Sequence, residues 1–313
     1  MANRNERQIS VRVKAPAKVN LSLEVLGLRP DGYHEIGTVM QAISLFDEME
    51  FASADDGRIV LTSSHPGLPV DERNLVTRAA QLLQRRYDVR QGTAISLLKR
   101  IPLGGGLGGG SSDSAIALLA LSELWGLDVR MGELAEMAAE LGSDLPFFLW
   151  GGTALCEGRG ERVTAIKCPR TMDYVLVLPS CFVSTAEVYA AAKSGLTPFG
   201  DGRKNVIRAL EGGDVKLLGA SLRNDLQEAA LGLHDELQRI WSSLEEHRKV
   251  CNAKGLLLSG SGSSFFLLMQ GEREAIRASN YLMSRLGVPC AVVHGVAAWG
   301  GRLSRLTLGR GHP

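Results

Sequence analysis

The chain carries almost no net charge: 35 lysines and arginines against 34 aspartates and glutamates leave a formal +1 over 313 residues. That balance provides no general attraction to nucleic acid or to an anionic membrane surface, so any anionic ligand has to be held by local features. Long apolar runs are missing too. None approaches the ~20 residues that span a bilayer, and the polar opening MANRNERQIS lacks the apolar stretch of a signal peptide. The expectation is a cytoplasmic protein with neither nucleic acid nor membrane as partner. The five cysteines, Cys156, Cys168, Cys181, Cys251 and Cys290, stand far apart. Without a CxxC pair or a Cys/His cluster there is no zinc pattern, and the thiols read as reduced core side chains.

Glycine is what the chain has in excess, at 36 residues. Hydrophobic residues at 45% and charged residues at 22% exclude a fully disordered chain. The length favours two lobes over one, with a cleft between them as the natural place for a site.

Alternation of apolar and polar residues predicts strands over 9–13 and 19–26, flanking a turn that begins at Ala15 and Pro16 and carries Lys18 and Asn20. The stretch 39–51 reads as extended. Over 71–87, Leu75, Val76, Ala79, Leu82 and Leu83 share one helical face, and 93–99 is a strand. A helix over 111–125 is expected to use Ser111, Ser112 and Asp113 as N-caps. A second helix over 131–141 ends at Gly142, and Pro146 marks a fresh start just after Asp144.

Further on, strands are predicted over 153–156, 174–178, 255–258, 265–269 and 291–298, with helices over 185–193, 205–210, 233–247 and 272–286. There is no strict βαβ rhythm, so the class is α+β. Turn residues gather over 158–169, which divides the chain into lobes 1–165 and 166–313.

One segment dominates the chemistry. Pro102, Leu103, Gly104, Gly105, Gly106, Leu107, Gly108, Gly109, Gly110, Ser111 and Ser112 lie between a predicted strand and a predicted helix. Glycines there let successive N–H groups point into one concavity, and the helix that follows adds its own unpaired N–H groups and the positive end of its dipole. The result is a phosphate cradle. A P-loop reading fails because no lysine follows Gly110. Gly104, Gly106 and Gly109 match GxGxxG, but a dinucleotide-binding unit also needs a second strand ending in an acidic residue, and Asp128 precedes a helix instead. A linker reading conflicts with the flanking strand and helix.

PLGGGLGGGSS resembles the second motif of the GHMP kinases. APAKVNL at residues 15–21 resembles their first motif and SGSGSS at residues 259–264 their third. Within that family, APAKVNLSLEVLGLRPDGYHEI, IPLGGGLGGGSSDSA and GSDLPFFLWGGTALCEGRGE resemble the branch acting on a cytidine diphosphate-linked sugar alcohol. The resemblance implies an N-terminal lobe like ribosomal protein S5 domain 2 and a ferredoxin-like C-terminal lobe. It also implies ATP as phosphoryl donor, with Mg²⁺ accompanying it, and transfer to the 2-hydroxyl of a methylerythritol moiety in the non-mevalonate route to isoprenoid precursors.

By the same resemblance Asp144 is the catalytic base, and Lys18 lies beside it, keeping the carboxylate ionised and favouring the developing alkoxide. Asn20 orients substrate hydroxyls. Tyr33 and His34 recognise the cytidine end, Tyr189 completes an aromatic sandwich, and Thr185 contacts substrate. Ser111 and Ser112 could bind phosphate, bind Mg²⁺ or cap their helix, and metal ligands are left unassigned. Asn224 and Asp225 fit either a recurrent family dipeptide or a helix cap. The residues from Gly301 onward read as a loose tail. Competing readings are another GHMP kinase such as a homoserine kinase, a nicotinamide-dependent oxidoreductase, and a nucleotide-binding regulatory module.

Overall fold

Strands β1 (Ser10–Leu28) and β2 (His34–Ala54) run antiparallel along nearly their whole length and form the spine of the first sheet. The structure is a computed structural model describing residues 10–192 and 201–309. Ile9 of the first expected strand, Lys193 of the expected helix 185–193, and residues 310–313 of the expected tail lie outside the described residues. The turn expected at Ala15 and Pro16 is not formed. The strand stays continuous, with register shifts between Pro16 and Ala17 and between Asn20 and Ser22. A bulge of this kind accommodates a proline that has no N–H to give to the ladder, and it re-aims the side chains that follow.

The rest of the first lobe is laid on that spine. β3 (Ile59–Ser63) runs parallel to β4 (Gly92–Leu98), which pairs with β2. Between them, α1 (Leu75–Tyr87) starts later than its periodicity predicts, because Asn74 caps it by accepting from Val76 N–H. α2 (Gly109–Leu124) starts earlier: its cap is Gly108 in the left-handed region at φ 70°. Ser111, Ser112 and Asp113 therefore stand inside the helix rather than at its cap. Buried from Ser112 to Ser122, α2 is apolar all round, as a central helix must be. Then follow α3 (Met131–Leu141), α4 (Leu145–Trp150), β5 (Thr153–Gly158), which pairs with β2, and β6 (Arg162–Ala165), which pairs with β5.

The second half starts with β7 (Asp173–Val177), α5 (Thr185–Ala191), α6 (Asp201–Gly212), α7 (Val215–Ser221) and β8 (Arg223–Asn224). The helix expected over 233–247 is α9 (Asp235–His247), and a further helix, α8 (Gln227–Leu233), precedes it, separated by the extended backbone of His234. β9 (Gly255–Leu258), β10 (Phe265–Met269), α10 (Glu272–Leu286) and β11 (Cys290–His294) complete an antiparallel sheet in the order β11-β7-β10-β9. With helices in both crossovers this is the ferredoxin-like arrangement. The two halves share a core: Ala17, Val19 and Leu21 of β1 pack with Tyr174 and Leu176 of β7 and Phe266 and Leu268 of β10.

The described residues from Gly301 to Gly309 do not trail away. After β11 the chain returns to the first lobe, where Leu303 and Leu306 are buried and β12 (Thr307–Gly309) pairs with β1. On the way, the N–H groups of Trp299 and Gly300 donate to Trp150 O and that of Gly301 to Leu149 O, at 2.9–3.0 Å. These are carbonyls that the end of α4 leaves without helical partners. The Trp299 ring, 1% exposed, packs over Gly151 and donates to Phe148 O at 3.1 Å.

Trp299→Ala is expected to destabilise the protein by about 3–5 kcal/mol, the usual loss for a buried aromatic, measured by urea unfolding. A loss below about 1 kcal/mol would show that the returning segment does not hold α4.

Candidate functional site

The three motif segments meet at one cleft of about 980 Å³ between the lobes. Every predicted site residue lines it except Ser112, which is fully buried within α2. The glycine loop forms one wall. A Cβ on Gly106, at φ 70°, would lie 2.0 Å from Ser259 O, and one on Gly108 would lie 2.8 Å from the Phe148 ring and 3.1 Å from Lys18 Cγ. The loop is thus pressed between the third motif and the lysine strand, with backbone approaches only glycine allows. Ser264 N–H donates to Gly105 O and Ser259 hydroxyl to Gly106 O, each at 3.1 Å, and Lys18 N–H donates to Leu107 O at 2.9 Å. Beyond Gly108 the first N–H groups of α2 have no helical acceptors, and nothing lies within 4 Å of where a Gly110 Cβ would sit.

The floor of the cleft holds the charges. Lys18, 3% exposed, donates from Nζ to Asn20 Oδ1 at 2.5 Å and lies 3.8 Å from Asp144 Oδ2. Asn20 in turn donates to Thr38 Oγ1 at 2.8 Å, and Thr38 donates to Ser22 O at 2.6 Å. This chain fixes the amide, so its oxygen faces the lysine. Thr38 is a partner that sequence reading missed. Asp144 is the residue before α4, with Pro146 in the first turn. Burial pushes the Lys18 ammonium below the ordinary lysine range, with Asp144 and then Cys156 partly offsetting it.

Another part of the cleft lining is aromatic. The His34 and Tyr189 rings lie 5.0 Å apart, tilted by 33°, and burial pushes the Tyr189 phenol up. Tyr33 is exposed at 52%, with the Arg159 guanidinium 4.8 Å from its ring centroid. Thr185, opening α5 after the Ser184 cap, shares a 2.8 Å hydroxyl contact with Ser261 of the third motif. Asn224 clamps that motif from behind, donating to Leu258 O at 2.9 Å and Gly260 O at 2.7 Å while its oxygen accepts from Leu226 N–H. Its role is to hold the turn as well as to cap.

Comparison with known proteins accords with this geometry. The GHMP kinases N terminal domain matches residues 74–152 and the GHMP kinases C terminal domain residues 206–288. A 4-diphosphocytidyl-2-C-methyl-D-erythritol kinase of Exiguobacterium sibiricum is 40% identical over 274 residues, 88% of this chain and 94% of the relative. The chain belongs to the GHMP kinase family. A crystal structure of 4-(cytidine 5'-diphospho)-2C-methyl-D-erythritol kinase superposes with a TM-score of 0.76 at 35% identity, covering 91% of this chain and all of that one. The homoserine kinase of Cytophaga hutchinsonii matches at TM-score 0.75 but 20% identity, covering 96% and 99%, a likeness of fold alone.

Beneath its glycine loop this GHMP kinase also carries a buried ion cluster that no motif announced. Lys99 Nζ pairs with Asp47 Oδ2 and, at 2.8 Å, with Asp113 Oδ2. Asp47 Oδ1 accepts from the N–H groups of Arg100 and Ile101, at 2.5 and 2.8 Å, where the chain enters the loop. Burial works against the Lys99 charge, but Asp113 and Asp47 outweigh it and hold the lysine above its ordinary range. For Asp113 burial is the largest influence, pushing it up to about 8 against the pull of Lys99. Among the described residues there is no disulfide, no group of three acidic, histidine or cysteine side chains able to hold a metal, and no helix long and apolar enough to cross a membrane.

Two predictions follow from these contacts. Gly106→Ala is expected to lower the thermal midpoint by several degrees, because a Cβ cannot occupy the Ser259 carbonyl. Gly110→Ala is expected to keep the wild-type midpoint, because its methyl meets nothing within 4 Å. Equal thermal stability of the two variants would refute the packing of the loop.

The second concerns pH. Asp113 keeps in the folded state a proton that the unfolded chain releases near its ordinary pKa of 3.8, so its contribution to stability falls as pH rises from there towards about 8. Asp113→Asn removes that fall. Urea unfolding should show the variant gaining on wild type between about pH 5 and about pH 8.5; a constant difference would contradict the shift.

Proposed function

We propose that this protein transfers the γ-phosphoryl group of ATP to the 2-hydroxyl of 4-diphosphocytidyl-2-C-methyl-D-erythritol. One observation carries the reading. The Lys18 and Asp144 pair, 3.8 Å apart, lies in the same cleft as a glycine cradle and the His34–Tyr189 aromatic pair. Phosphoryl transfer needs positioning and charge stabilisation more than covalent chemistry, and each wall supplies one of these.

The cradle of Pro102–Gly110 and the first turn of α2 suit the ATP phosphates, since the segment lines the cleft, the first N–H groups of a helix lack helical acceptors, and the space beside Gly110 is unobstructed. Asp144 accepts the proton of the 2-hydroxyl as that oxygen bonds to the γ-phosphorus and the bond to the β-phosphate oxygen breaks, releasing ADP. Lys18, held by Asn20 Oδ1, balances the charge growing on the attacking oxygen. Its lowered pKa reflects a shortage of compensating charge, which a developing alkoxide makes good. Bound with the nucleotide, Mg²⁺ would supply neutralisation of phosphate charge, and Ser111 at the cavity wall would be the side chain to hold it.

Tyr33, His34 and Tyr189 receive the cytosine, and Thr185 the substrate between base and alcohol. The lobe 1–165 then carries the cradle, Lys18, Asp144, Tyr33 and His34, the lobe 166–313 adds Thr185 and Tyr189 across the cleft, and residues 295–309 return to tie the first lobe. The reaction is cytoplasmic on this reading, and the net charge of +1 supports small molecules rather than nucleic acid or a membrane surface as partners.

The test is ADP release over the diphosphocytidyl sugar alcohol, methylerythritol without its nucleotide, homoserine and mevalonate. Turnover of the first alone is expected, and Asp144→Asn should lower kcat by ~10²–10⁴ without weakening ATP binding. Turnover confined to homoserine or mevalonate, or an unchanged kcat in the variant, would sink the proposal.

A further inference from the structure

We infer that Arg159 is the residue that binds the diphosphate of the nucleotide-linked substrate; the inference rests on the proposed function and adds a contact to the same cleft. A cytidine diphosphate-linked alcohol has a base at one end and the reacting hydroxyl at the other. If the base lies at Tyr33, His34 and Tyr189 and the hydroxyl at Lys18 and Asp144, the diphosphate crosses the stretch between. Arg159 stands there. It occupies the turn joining β5 to β6, between Gly158 and Gly160, both at positive φ. On one side Gly160 abuts the catalytic corner: a Cβ on it would lie 3.2 Å from Ser143 O and 3.4 Å from Asp144 Oδ1. On the other side the Arg159 guanidinium lies 4.8 Å from the Tyr33 ring centroid. The turn thus touches the catalytic corner through Gly160 and the base end through the Arg159 side chain.

The charge inventory points the same way. Lys18, Lys99 and Arg159 are the lysine and arginine residues lining the cleft. Lys18 is committed to Asp144 and Asn20, and Lys99 to Asp47 and Asp113. Arg159 forms no ion pair with any carboxylate among the described residues. Glu161, two residues on, does not neutralise it: Glu161 Oε2 accepts the Arg159 backbone N–H at 2.6 Å. Asp31, which feels the Arg159 charge, is held by Arg29 at 3.3 Å and by Tyr33 N–H at 3.1 Å. One long bond of 3.5 Å, from Arg159 Nη2 to Ala139 O, engages the guanidinium, leaving the rest of its planar fork for a ligand. That fork matches two phosphate oxygens, and its seat against Tyr33 preorganises it beside the base site.

The experiment measures binding of cytidine, CMP and CDP to wild type, Arg159→Ala and Arg159→Lys by titration calorimetry, and KM for the diphosphocytidyl alcohol and for ATP. Arg159→Ala should weaken CDP by about ten- to hundredfold, the scale of a lost charge-assisted contact, and leave cytidine within about twofold. KM for the alcohol should rise with it, KM for ATP should not, and Arg159→Lys should recover part of the loss. Should the alanine variant melt early, Arg159→Gln, which keeps the apolar stem, carries the same test.

Equal weakening of cytidine and CDP would mean that Arg159 only supports Tyr33, and would overturn the assignment, as would unchanged CDP binding. Wild type that turns over the alcohol while Arg159→Ala matches it overturns this inference alone. Wild type that neither binds CDP nor turns over the alcohol overturns the proposed function and this inference with it.

Discussion

A lysine charge buried where the two lobes meet is the constraint on which the rest of this molecule depends. Taking an ammonium out of water is costly unless opposite charge and hydrogen bonds replace the lost hydration. At Lys18 the replacement is minimal: one amide oxygen and one carboxylate at 3.8 Å. Each partner is held by something further out. Asn20 is aimed by Thr38 on β2, and Asp144 stands at the head of α4, whose far end is capped by residues returning from the C-terminus. The glycine loop lies against the lysine stem because Gly108 has no Cβ to prevent it.

The two lysines flanking the loop show how burial can be turned to different ends. Lys99 faces the buried Asp47 carboxylate and Asp113, which keeps its proton up to about 8, and its own pKa is held up, so its charge is balanced within the cluster and its contribution is to fix the entry to the loop through Asp47. Lys18 has one partly exposed carboxylate and a pKa pushed down, so its charge is under-compensated. An under-compensated cation next to a carboxylate stabilises negative charge that appears only during reaction. The balanced cluster beneath it anchors the entry to the glycine loop through the N–H groups of Arg100 and Ile101.

Much of this was legible in the sequence, and the gaps have physical causes. The strand periodicity of β1 was visible, but Pro16 read as a break because a bulge that tolerates proline depends on the partner strand, which local pattern does not show. Lys18 and Asn20, two apart on a strand, share a face, and motif likeness rather than periodicity revealed that this face is buried. Ser111 and Ser112 could not both face the cleft, because neighbours on a helix diverge by about 100°; the burial of α2 sends Ser112 inward and leaves Ser111 at the wall. The cluster of Asp47, Lys99 and Asp113 joins three separate elements and has no local signature. Arg159 lay in plain view within GRGE, but a lone arginine between glycines acquires meaning only when the turn is seen between Asp144 and Tyr33.

The electrostatic state of Lys18 can be read directly. Titration of the lysine side chains by heteronuclear NMR, with Lys18 assigned through Lys18→Met, separates it from the exposed lysines, which titrate near ~10.4. Lys18 is predicted to titrate below that range in wild type and lower still in Asp144→Asn, where the carboxylate that supports its charge is gone. Titration of Lys18 together with the exposed lysines, unaffected by Asp144→Asn, would contradict the account.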